Sequence, residues 1–375
     1  MPLSLEKLLN GQWEYFKEFY NITAISSDPE KLKAFGEAYK IKTFHVPLTR
    51  KITPFKDIQA ILKLYLFLKK EKPQLVHTQT PKAGLVGMVA AFFARTPIRI
   101  HDVVGLPLME ASGFKYWLLF WIERLMYACA HQVYPNSFGL KEYMVKTGLG
   151  KASKLKVIGH GSSNGIDTQY FSRVHFSIAA KQLLREQIQI LPNDFVFLFI
   201  GRLVGDKGIN ELLQAFSELH KEDKHLKLLL VGGTEEDLDP LSEVSIDILS
   251  SKNGIISVGF KEDVRPYLAI ANCFVFPSYR EGFPNVVLEA AAMELPCIVT
   301  DINGCNEIIS HQYNGLIIPK KDVFALKNAM FLFANNASLL EALAKNARLG
   351  IIEKFQKEYF YKAMLEEYKK LESHV

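Results

Sequence analysis

Cysteine is scarce in this sequence. Only four cysteines occur in 375 residues, and they are scattered along the chain without the short spacings of metal ligands: Cys129, Cys273, Cys297 and Cys305. Metal sites built from cysteine usually take their ligands in close pairs. The pattern therefore favours buried, reduced thiols in a cytoplasmic protein.

Long apolar runs are also missing. The longest are Ala83–Ala94 and Trp117–Ile122, and both are shorter than the roughly 18–20 residues that a membrane-spanning helix needs. The N-terminus lacks the basic and then apolar layout of a signal peptide. No internal repeat or low-complexity tract is present. With 49% hydrophobic and 23% charged residues, the chain is predicted to form two globular domains.

Charge is distributed unevenly between the two halves. Residues 1–175 carry 24 Lys and Arg against 13 Asp and Glu, a net charge of +11, whereas residues 176–375 carry 21 against 27, a net charge of −6. A basic first half indicates an anionic partner, such as nucleic acid, an anionic membrane or a phosphorylated substrate. The alternative is a solvated, lysine-rich surface.

Strand patterns alternate with helix patterns throughout the chain. In the first half, strands are predicted near Ile22–Ser26, Thr43–Val46, Leu75–Thr78, Ile98–His101, Gln132–Pro135 and Leu155–Ile158. In the second half, they are predicted near Phe195–Ile200, Leu226–Val231, Ile255–Val258, Cys273–Phe276, Cys297–Thr300 and Gly315–Ile318, with helices such as Ile209–Leu219 and Lys261–Ala271 between them. Such alternation predicts two parallel sheets, hence a two-lobed α/β protein with a hinge near Asn164–Phe176. A ligand is expected at the carboxyl ends of the strands.

The beginning of the chain is atypical for such a fold. Residues 1–19 have the pattern of a helix capped by Ser4, whereas a doubly wound domain normally opens with a strand. The first strand of the first domain is therefore expected to be missing.

Two cations mark the approach to a helix in the second half. In the segment Phe197–Phe216, a strand ends at Gly201, and Arg202 and Lys207 precede the next helix. The unbonded amides and the dipole of a helix N-terminus favour anions, so the two side chains predict an anion site. The alternative is a pair of solvated loop cations.

Two carboxylates follow the strand Cys273–Phe276. Glu281 lies in the loop after it, and Glu289 lies within an otherwise apolar helix that Pro284 and Asn285 open. A buried carboxylate is costly unless something hydrogen-bonds it, so Glu289 is expected to bind a ligand or to pair with Arg280 or Arg202. A phosphate site beside two carboxylates that can bind hydroxyls predicts a nucleotide sugar as the ligand.

These residues resemble the retaining glycosyltransferases of family 4, which have the GT-B fold. Glu281 and Glu289 match the E-x7-E element of that family, and the segment beginning at Gly201, "GRLVGDKG", matches its G-R-L-x-x-x-K-G element; the similarity covers roughly Phe195–Ile318. It implies two Rossmann-like domains facing each other across a cleft. Residues 1–170 would bind the acceptor, 171–354 would bind the nucleotide sugar, and 355–375 would pack back on the first domain.

The resemblance also implies roles for individual residues. Arg202 and Lys207 would contact the donor diphosphate, Glu281 the transferred sugar, and Glu289 the ribose hydroxyls. The nucleotide base would lie against Gly259–Val264, and the remaining donor-binding positions would be Gly282, Phe283, Pro284, Asn285 and Val286.

Acceptor contacts are expected from the first domain. Relatives place a histidine or an acid just before the Gly-Leu that is Gly105 and Leu106 here, where this chain has Val104. The candidates for that role are therefore His101 and Asp102, and Lys82 is a further acceptor-side candidate. The segments "LVHTQTPKAGLVG", "NSFGL" and "SSNGIDTQYF" resemble bacterial capsule and O-antigen members, which implies a polyprenyl-diphosphate-linked or glycan acceptor.

No cofactor or metal is expected. Gly159–Gly165 imitates a dinucleotide-binding loop, but its last two glycines are one residue too far apart and no helix follows directly. The acids of Asp237–Asp239 resemble a metal-binding pair, yet Arg202 and Lys207 already supply the charge that a divalent metal would bring.

The resulting prediction is transfer of a sugar from a nucleoside-diphosphate sugar, with a UDP-sugar favoured, and with retention of configuration. Nucleic acid is not an expected partner. The alternatives are a nucleotide-sugar epimerase or phosphorylase with the same fold, and a non-catalytic subunit that binds nucleotide sugar.

A membrane surface is a further expected partner. The aromatic segment Phe114–Tyr127, together with the basic charge of the first half, would place the protein peripherally at the inner face of the cell membrane. The lysines expected to meet anionic lipid are Lys69, Lys70 and Lys72. The alternative is that Trp117, Phe120, Trp121 and Leu125 pack into the domain core.

Overall fold

The protein folds into two compact units in the computed structural model, which describes Leu5, Leu9 and residues 11–49, 53–235 and 239–374. The first unit comprises residues 1–165 and 357–375, and the second comprises residues 166–356. The chain therefore passes between the units twice, and its last segment belongs to the first unit.

The first unit contains parallel strands and surrounding helices. Its described strands are β1 (Thr23–Ser26), β2 (Lys42–His45), β3 (Leu75–Gln79), β4 (Ile98–Val103) and β5 (Gln132–Pro135). Its described α-helices are α1 (Gln12–Phe16), α2 (Pro29–Tyr39), α3 (Pro54–Glu71), α4 (Pro81–Ala94), α5 (Gly113–Cys129), α6 (Phe138–Lys146) and, near the C-terminus, α15 (Lys357–Glu372). β1 pairs with β2, and β4 lies between β3 and β5 in a separate sheet.

The first unit differs from its predicted pattern at Leu155–Ile158. The strand predicted at Leu155–Ile158 is wrong: Leu155 forms only an isolated bridge to Val133, because the chain turns where the amide of Gly161 bonds the carbonyl of Ile158. The predicted N-terminal helix is present at Gln12–Phe16, whereas Ser4 lies outside the described residues.

The second unit is built on one parallel sheet. Its strands are β6 (Phe195–Ile200), β7 (Leu226–Val231), β8 (Ile255–Ser257), β9 (Cys273–Phe276), β10 (Cys297–Thr300) and β11 (Gly315–Ile318). Its described α-helices are α7 (Ile178–Gln187), α8 (Ile209–Glu222), α9 (Glu243–Ser251), α10 (Arg265–Ile270), α11 (Asn285–Ala292), α12 (Cys305–Ile308), α13 (Val323–Asn335) and α14 (Ala337–Lys354).

The strand order of this sheet is β11-β10-β9-β6-β7-β8. The order reverses between β6 and β9, since the chain adds β7 and β8 on one side of β6 and then places β9 on the other. Open parallel sheets bind ligands at the carboxyl ends of the strands beside such a reversal. The loops after β6 and β9 are therefore the place to look for a site.

Burial explains why these elements form. β6 consists of six apolar residues and is almost entirely buried, as expected for a strand covered on both faces. On α8, apolar residues recur every three or four positions and face the core, including Leu212, Phe216 and Leu219. The helix predicted at Lys261–Ala271 begins only at Arg265, because Asp263 accepts the amide of Arg265 and ends the preceding loop.

The aromatic segment of α5 divides between core and surface. Phe120 is buried in the core of the first unit, whereas Trp117, Trp121 and Leu125 are exposed. The alternative in which all four pack into the domain core therefore holds for Phe120 and is wrong for the other three. All four cysteines are buried and form no disulfide.

No single described helix combines the length and the apolar composition of a membrane span. Helices α13 and α14, which are bent by 100° at their junction, meet both criteria only when taken as a pair.

Candidate active site

The candidate site forms where β6 and β9 end. These strands are hydrogen-bonded neighbours in parallel orientation, with Phe197 opposite Cys273, so their carboxyl ends lie at the same edge of the sheet. Arg202 follows β6 by two residues, and the loop Pro277–Phe283 follows β9. The sheet thus brings together two segments that are far apart in the sequence.

Gly208 allows these loops to approach each other. It has a left-handed φ of +70°, and a Cβ atom at this position would lie 2.1 Å from the carbonyl oxygen of Pro277. Both conditions demand glycine. The short 3₁₀ turn Gly205–Lys207 can therefore lie directly against the loop that follows β9.

Asp206 ties the two loops together. Its carbonyl oxygen accepts the amide of Tyr279 at 2.9 Å, and its carboxylate binds Nη2 of Arg280 at 2.9 Å. Its own amide donates to Oδ2 of Asp239 at 2.6 Å. These bonds fix the backbone on both sides of the site.

Lys207 and Glu281 form an ion pair at the centre of the site. Nζ of Lys207 donates to Oε1 of Glu281, and the same oxygen accepts the hydroxyl of Ser278 at 2.9 Å. The side chains are only 16% and 17% exposed, and Ser278 is fully buried. A partly desolvated pair interacts more strongly than one in water, so the positions of both charges are well defined.

Arg202 lies in a more open environment. Its Nη1 binds Oε2 of Glu235 at 2.7 Å, and the two side chains are 47% and 41% exposed. Exposed ion pairs of this kind contribute about 0–1 kcal/mol. The guanidinium of Arg202 can therefore exchange Glu235 for an anionic ligand at little cost.

Glu289 is unpaired within the described residues. It lies on α11, part of its side chain reaches the surface, and burial raises its pKa to about 7. Neither of the arginines considered as its partner bonds it: Arg280 binds Asp206 and Arg202 binds Glu235. A carboxylate without a donor gains directly from the hydroxyl of a ligand.

Asn303 and Gly304 support the segment from Glu281 to the start of α11. Nδ2 of Asn303 donates to the carbonyl oxygens of Glu281 and Gly282 at 3.1 Å and 2.9 Å. Gly304, with φ +77°, lies so close that a Cβ would be 2.7 Å from the carbonyl oxygen of Gly282. This support fixes the loop without using its amides.

The remaining predicted donor positions surround the start of α11. Phe283 and Pro284 are buried, Gly282 and Val286 are partly exposed, and Asn285 is exposed. No side chain caps α11. The amide of Val287 donates to the carbonyl oxygen of Pro284, which leaves the amides of Asn285 and Val286 available to an anion.

Sequence reasoning missed three residues that position this site, namely Asp206, Ser278 and Asn303. Each lies in a loop that follows a strand, which is the only signal the sequence offers. Asp206 binds the guanidinium of Arg280, 74 positions away, and Asn303 binds the carbonyl oxygen of Glu281, 22 positions away. No local pattern specifies such contacts.

The acceptor-side candidates lie in the first unit, and each has different neighbours. His101 is buried, its Nδ1 lies 2.9 Å from Oγ1 of Thr78, and burial lowers its pKa to about 4. Nζ of Lys82 binds Oδ2 of Asp57 at 2.6 Å. Successive strand residues point to opposite faces, so His101 and Asp102 do not share surroundings.

Asp102 belongs to a polar cluster that includes a residue the sequence analysis did not single out. Nε2 of His77 lies 2.7 Å from Oδ1 of Asp102, and Nε2 of Gln79 donates to Oδ2 at 2.8 Å. Nδ1 of His77 in turn lies 2.5 Å from the hydroxyl of Tyr368 on α15. The cluster therefore links β3 and β4 to the C-terminal helix, beside a small cavity also lined by Asn136, Ser162 and Ser163.

The acidic segment Asp237–Asp239 is only partly described. Asp237 lies outside the described residues, and Asp239 accepts the amide of Asp206. No group of three or more His, Cys, Asp or Glu side chains among the described residues is arranged to hold a metal ion.

Solved structures with the same fold identify the architecture. A glycosyltransferase from Rickettsia africae has a TM-score of 0.81 and 18% sequence identity, and the alignment covers 99% of this chain and 96% of that one. HepE from Anabaena in complex with UDP has a TM-score of 0.79 and 20% identity, with 97% and 96% covered. The fold is that of the GT-B glycosyltransferases, with two Rossmann-like domains.

Sequence comparisons establish the family. Residues 180–350 match the model of glycosyl transferases group 1, and residues 27–161 match that of the glycosyl transferase 4-like domain. The capsular polysaccharide biosynthesis glycosyltransferase CapM of Staphylococcus aureus is 34% identical over 95% of this chain and 92% of its own length. The chain belongs to the family 4 glycosyltransferases.

Two further relatives carry more specific names. One is the UDP-Gal:alpha-D-GlcNAc-diphosphoundecaprenol alpha-1,3-galactosyltransferase of Escherichia coli, 29% identical over 84% of this chain and 80% of the relative. The other is the N,N'-diacetylbacillosaminyl-diphospho-undecaprenol alpha-1,3-N-acetylgalactosaminyltransferase of Campylobacter jejuni, 31% identical over 79% and 77%.

Proposed function

We propose that this glycosyltransferase moves a hexosyl group from a nucleoside-diphosphate sugar, with UDP-sugar as the favoured donor, to a polyprenyl-diphosphate-linked or glycan acceptor in bacterial surface polysaccharide synthesis. The names of its relatives support this proposal, since one uses UDP-Gal and two act on undecaprenol-diphosphate-linked sugars. The second unit binds the donor, and the first unit binds the acceptor.

The observation that carries the proposal is the Lys207–Glu281 pair, held by Ser278 beside the uncapped start of α11. In the donor complex, Lys207, Arg202 and the amides of α11 bind the diphosphate. Glu281 lies beside the transferred sugar, and Glu289 accepts hydrogen bonds from the ribose hydroxyls, which supply the donors that it lacks.

Transfer proceeds with retention. The bond between the anomeric carbon and the diphosphate oxygen breaks first, leaving an oxocarbenium-like sugar, while Arg202, Lys207 and the amides stabilise the negative charge on the leaving group. The acceptor hydroxyl attacks from the same face and gives its proton to the departing phosphate oxygen. No divalent metal is required, because the two cations carry out the charge stabilisation that a metal would supply.

On the acceptor side, we assign the contact to Asp102 rather than to His101. Asp102 lines the small cavity together with Ser162 and Ser163, whereas His101 is buried against Thr78. Lys82 is paired with Asp57 and does not line this cavity, so it is not assigned an acceptor contact.

The test is incubation of the protein with UDP-sugars and a polyprenyl-diphosphate-linked sugar, with and without EDTA, followed by NMR of the product. Retained configuration and unchanged rates in EDTA are expected. An inverted anomeric centre overturns the mechanism. Turnover without acceptor indicates an epimerase, dependence on free phosphate indicates a phosphorylase, and donor binding without turnover indicates a non-catalytic subunit.

The acceptor implies where the protein works. A polyprenyl-diphosphate-linked sugar is held in a bilayer, so the protein acts peripherally at the inner face of the cell membrane, where the basic first half of the chain meets anionic lipid.

A further inference from the structure

Helix α3 carries two apolar stripes instead of one. Its inward stripe packs in the core of the first unit through Ala60, Leu64 and Leu68. Its other stripe consists of Phe55, Ile58, Leu62 and Leu66, all exposed, with Phe55 at 85%. These four recur every three or four residues, so they share the face that points away from the core. A helix needs only one such stripe to fold against a domain.

The neighbouring helices continue this surface. Helix α4 packs against both α3 and α5, and the side chains that it leaves exposed, Phe92 and Phe93, are apolar. On α5, the outward residues Phe114, Trp117 and Trp121 are exposed, with Trp121 at 61%. We define the three-helix surface as the outward apolar residues of α3, α4 and α5: Phe55, Ile58, Leu62, Leu66, Phe92, Phe93, Phe114, Trp117, Leu118, Trp121 and Leu125.

A solvent-exposed apolar surface of this extent is unusual for a monomeric protein. Monomeric proteins scatter exposed apolar residues singly, and contiguous patches mark interaction sites. Here eleven exposed apolar side chains lie on three adjacent helices, which indicates a partner that is itself apolar.

Basic residues line one edge of the surface. Lys56, Lys63 and Lys70 are spaced seven residues apart on α3, so they follow one edge of its outward stripe. The three helices carry seven basic residues and three acidic ones; the basic ones are Lys56, Lys63, Lys69, Lys70, Lys82, Lys115 and Arg124, and the acidic ones are Asp57, Glu71 and Glu123.

The three acidic residues of these helices are buried or paired with lysines. Asp57 is buried and paired with Lys82, Glu123 is buried in the core, and Glu71 is paired with Lys42. The charge that the three-helix surface presents is therefore positive.

We propose that the three-helix surface docks on an anionic lipid bilayer. Apolar and aromatic side chains enter the interface between headgroups and acyl chains, and the lysines along the edge bind lipid phosphates. A protein partner fits less well, because protein interfaces are depleted in lysine. This docking extends the proposed function and depends on it in one respect only, namely the reason for docking. Docking places the first unit where a lipid-linked acceptor is held.

Co-sedimentation with vesicles tests the docking. The wild-type protein is expected to bind vesicles of phosphatidylglycerol and phosphatidylcholine at least tenfold more tightly than vesicles of phosphatidylcholine alone. The double variant Leu62→Gln/Leu66→Gln is expected to lose at least tenfold in affinity. The matched control Phe324→Gln/Leu332→Gln, which changes two exposed apolar residues on α13, should bind as the wild type does.

A lysine variant separates the electrostatic contribution to vesicle binding from the apolar contribution. Lys56→Gln/Lys63→Gln/Lys70→Gln should lose most of the preference for anionic vesicles and most of the salt dependence. All substituted residues are exposed, and Nζ of Lys63 also lies 5.6 Å from the centre of the Phe44 ring. Circular dichroism should therefore be unchanged, and the melting temperature of the lysine variant should fall only slightly. If one variant fails to fold, the other still decides the result.

Two results overturn the proposal: equal sedimentation of wild type and both variants, or a concentration-dependent dimer that the leucine variant dissociates while vesicle binding is unchanged. Transfer to a water-soluble short-chain acceptor is measured in parallel. All variants should keep it, because none touches the candidate site. Absence of transfer in every protein contradicts the proposed function, whereas the vesicle data alone decide the docking.

Discussion

Lys207 and Glu281 are 74 positions apart in the sequence and are bonded directly to each other. The pairing depends on three features: adjacent parallel strands β6 and β9, the close approach at Gly208, and the backbone and side-chain bonds of Asp206 to the loop after β9. The ammonium group of Lys207 and the carboxylate of Glu281 therefore hold each other in position. In the free protein, the pair thus preserves a cation and a carboxylate at the place where a diphosphate and a sugar would bind.

Replacing Glu281 by Gln should lower kcat at least a hundredfold, which corresponds to about 2.7 kcal/mol of transition-state stabilisation. The amide keeps the shape of the side chain but loses its charge beside the reacting sugar. Initial rates with saturating UDP-sugar measure the effect. Glu353→Gln, an exposed position on α14, is the control and should be fully active. Near-wild-type rates in Glu281→Gln would show that the carboxylate is structural.

Lys207→Ala and Arg202→Ala should both weaken UDP binding at least tenfold, but they should differ in the free protein. Removing Lys207 leaves the partly buried Glu281 without its cation, which should lower the melting temperature. Removing Arg202 breaks only an exposed pair and should leave it nearly unchanged. Thermal melting with and without UDP separates these effects, since bound ligand stabilises the folded state. Unaltered UDP affinity in both variants would contradict the anion site.

Glu289 should make the protein less stable as the pH rises. Burial raises its pKa from 4.5 to about 7, so between these values the folded chain holds more protons than the unfolded chain. The free energy of unfolding therefore falls through this window. Glu289→Gln should remove this fall and gain up to about 3 kcal/mol at pH 8 relative to pH 4.5. Urea unfolding at both pH values measures it.

The same Glu289→Gln variant should bind UDP-sugar more weakly, since the ribose hydroxyls lose a charged acceptor. Stability and donor affinity are thus expected to change in opposite directions. A variant that loses both would indicate that Glu289 supports the fold alone.

His101 should produce the opposite dependence on pH. Its pKa is lowered from 6.5 to about 4, chiefly by burial and further by His77, although Asp102 raises it. Between pH 6.5 and 4 the unfolded chain binds a proton that the folded chain does not, so the free energy of unfolding falls as the pH drops.

Asn at position 101 does not titrate, so His101→Asn should reduce this acid sensitivity, while His374→Asn at an exposed position should not. Unfolding curves at pH 6.5 and 4.5 provide the comparison. Equal acid sensitivity of His101→Asn and the wild type would show that His101 is protonated in the folded chain.

Much of the second unit could be predicted from the sequence. Fully apolar segments such as Phe195–Ile200 and Cys273–Phe276 form buried strands wherever they fall in a parallel sheet, and their ends locate Arg202 and Glu281. The strands of the first unit were harder to predict from the sequence. Leu155–Ile158 has the composition of a strand, yet the turn that follows it allows only one bridge to Val133.

Residue type and spacing along the chain are enough to predict the alternation of strands and helices, the two cations after β6, the two carboxylates after β9 and the family to which they belong. These are local properties. The contact between Lys207 and Glu281, its support by Ser278, Asp206 and Asn303, and the different surroundings of His101 and Asp102 depend on tertiary contacts. Tertiary contacts also decide which stripe of α3 meets solvent, because two apolar stripes on one helix are equivalent until the core packs against one of them.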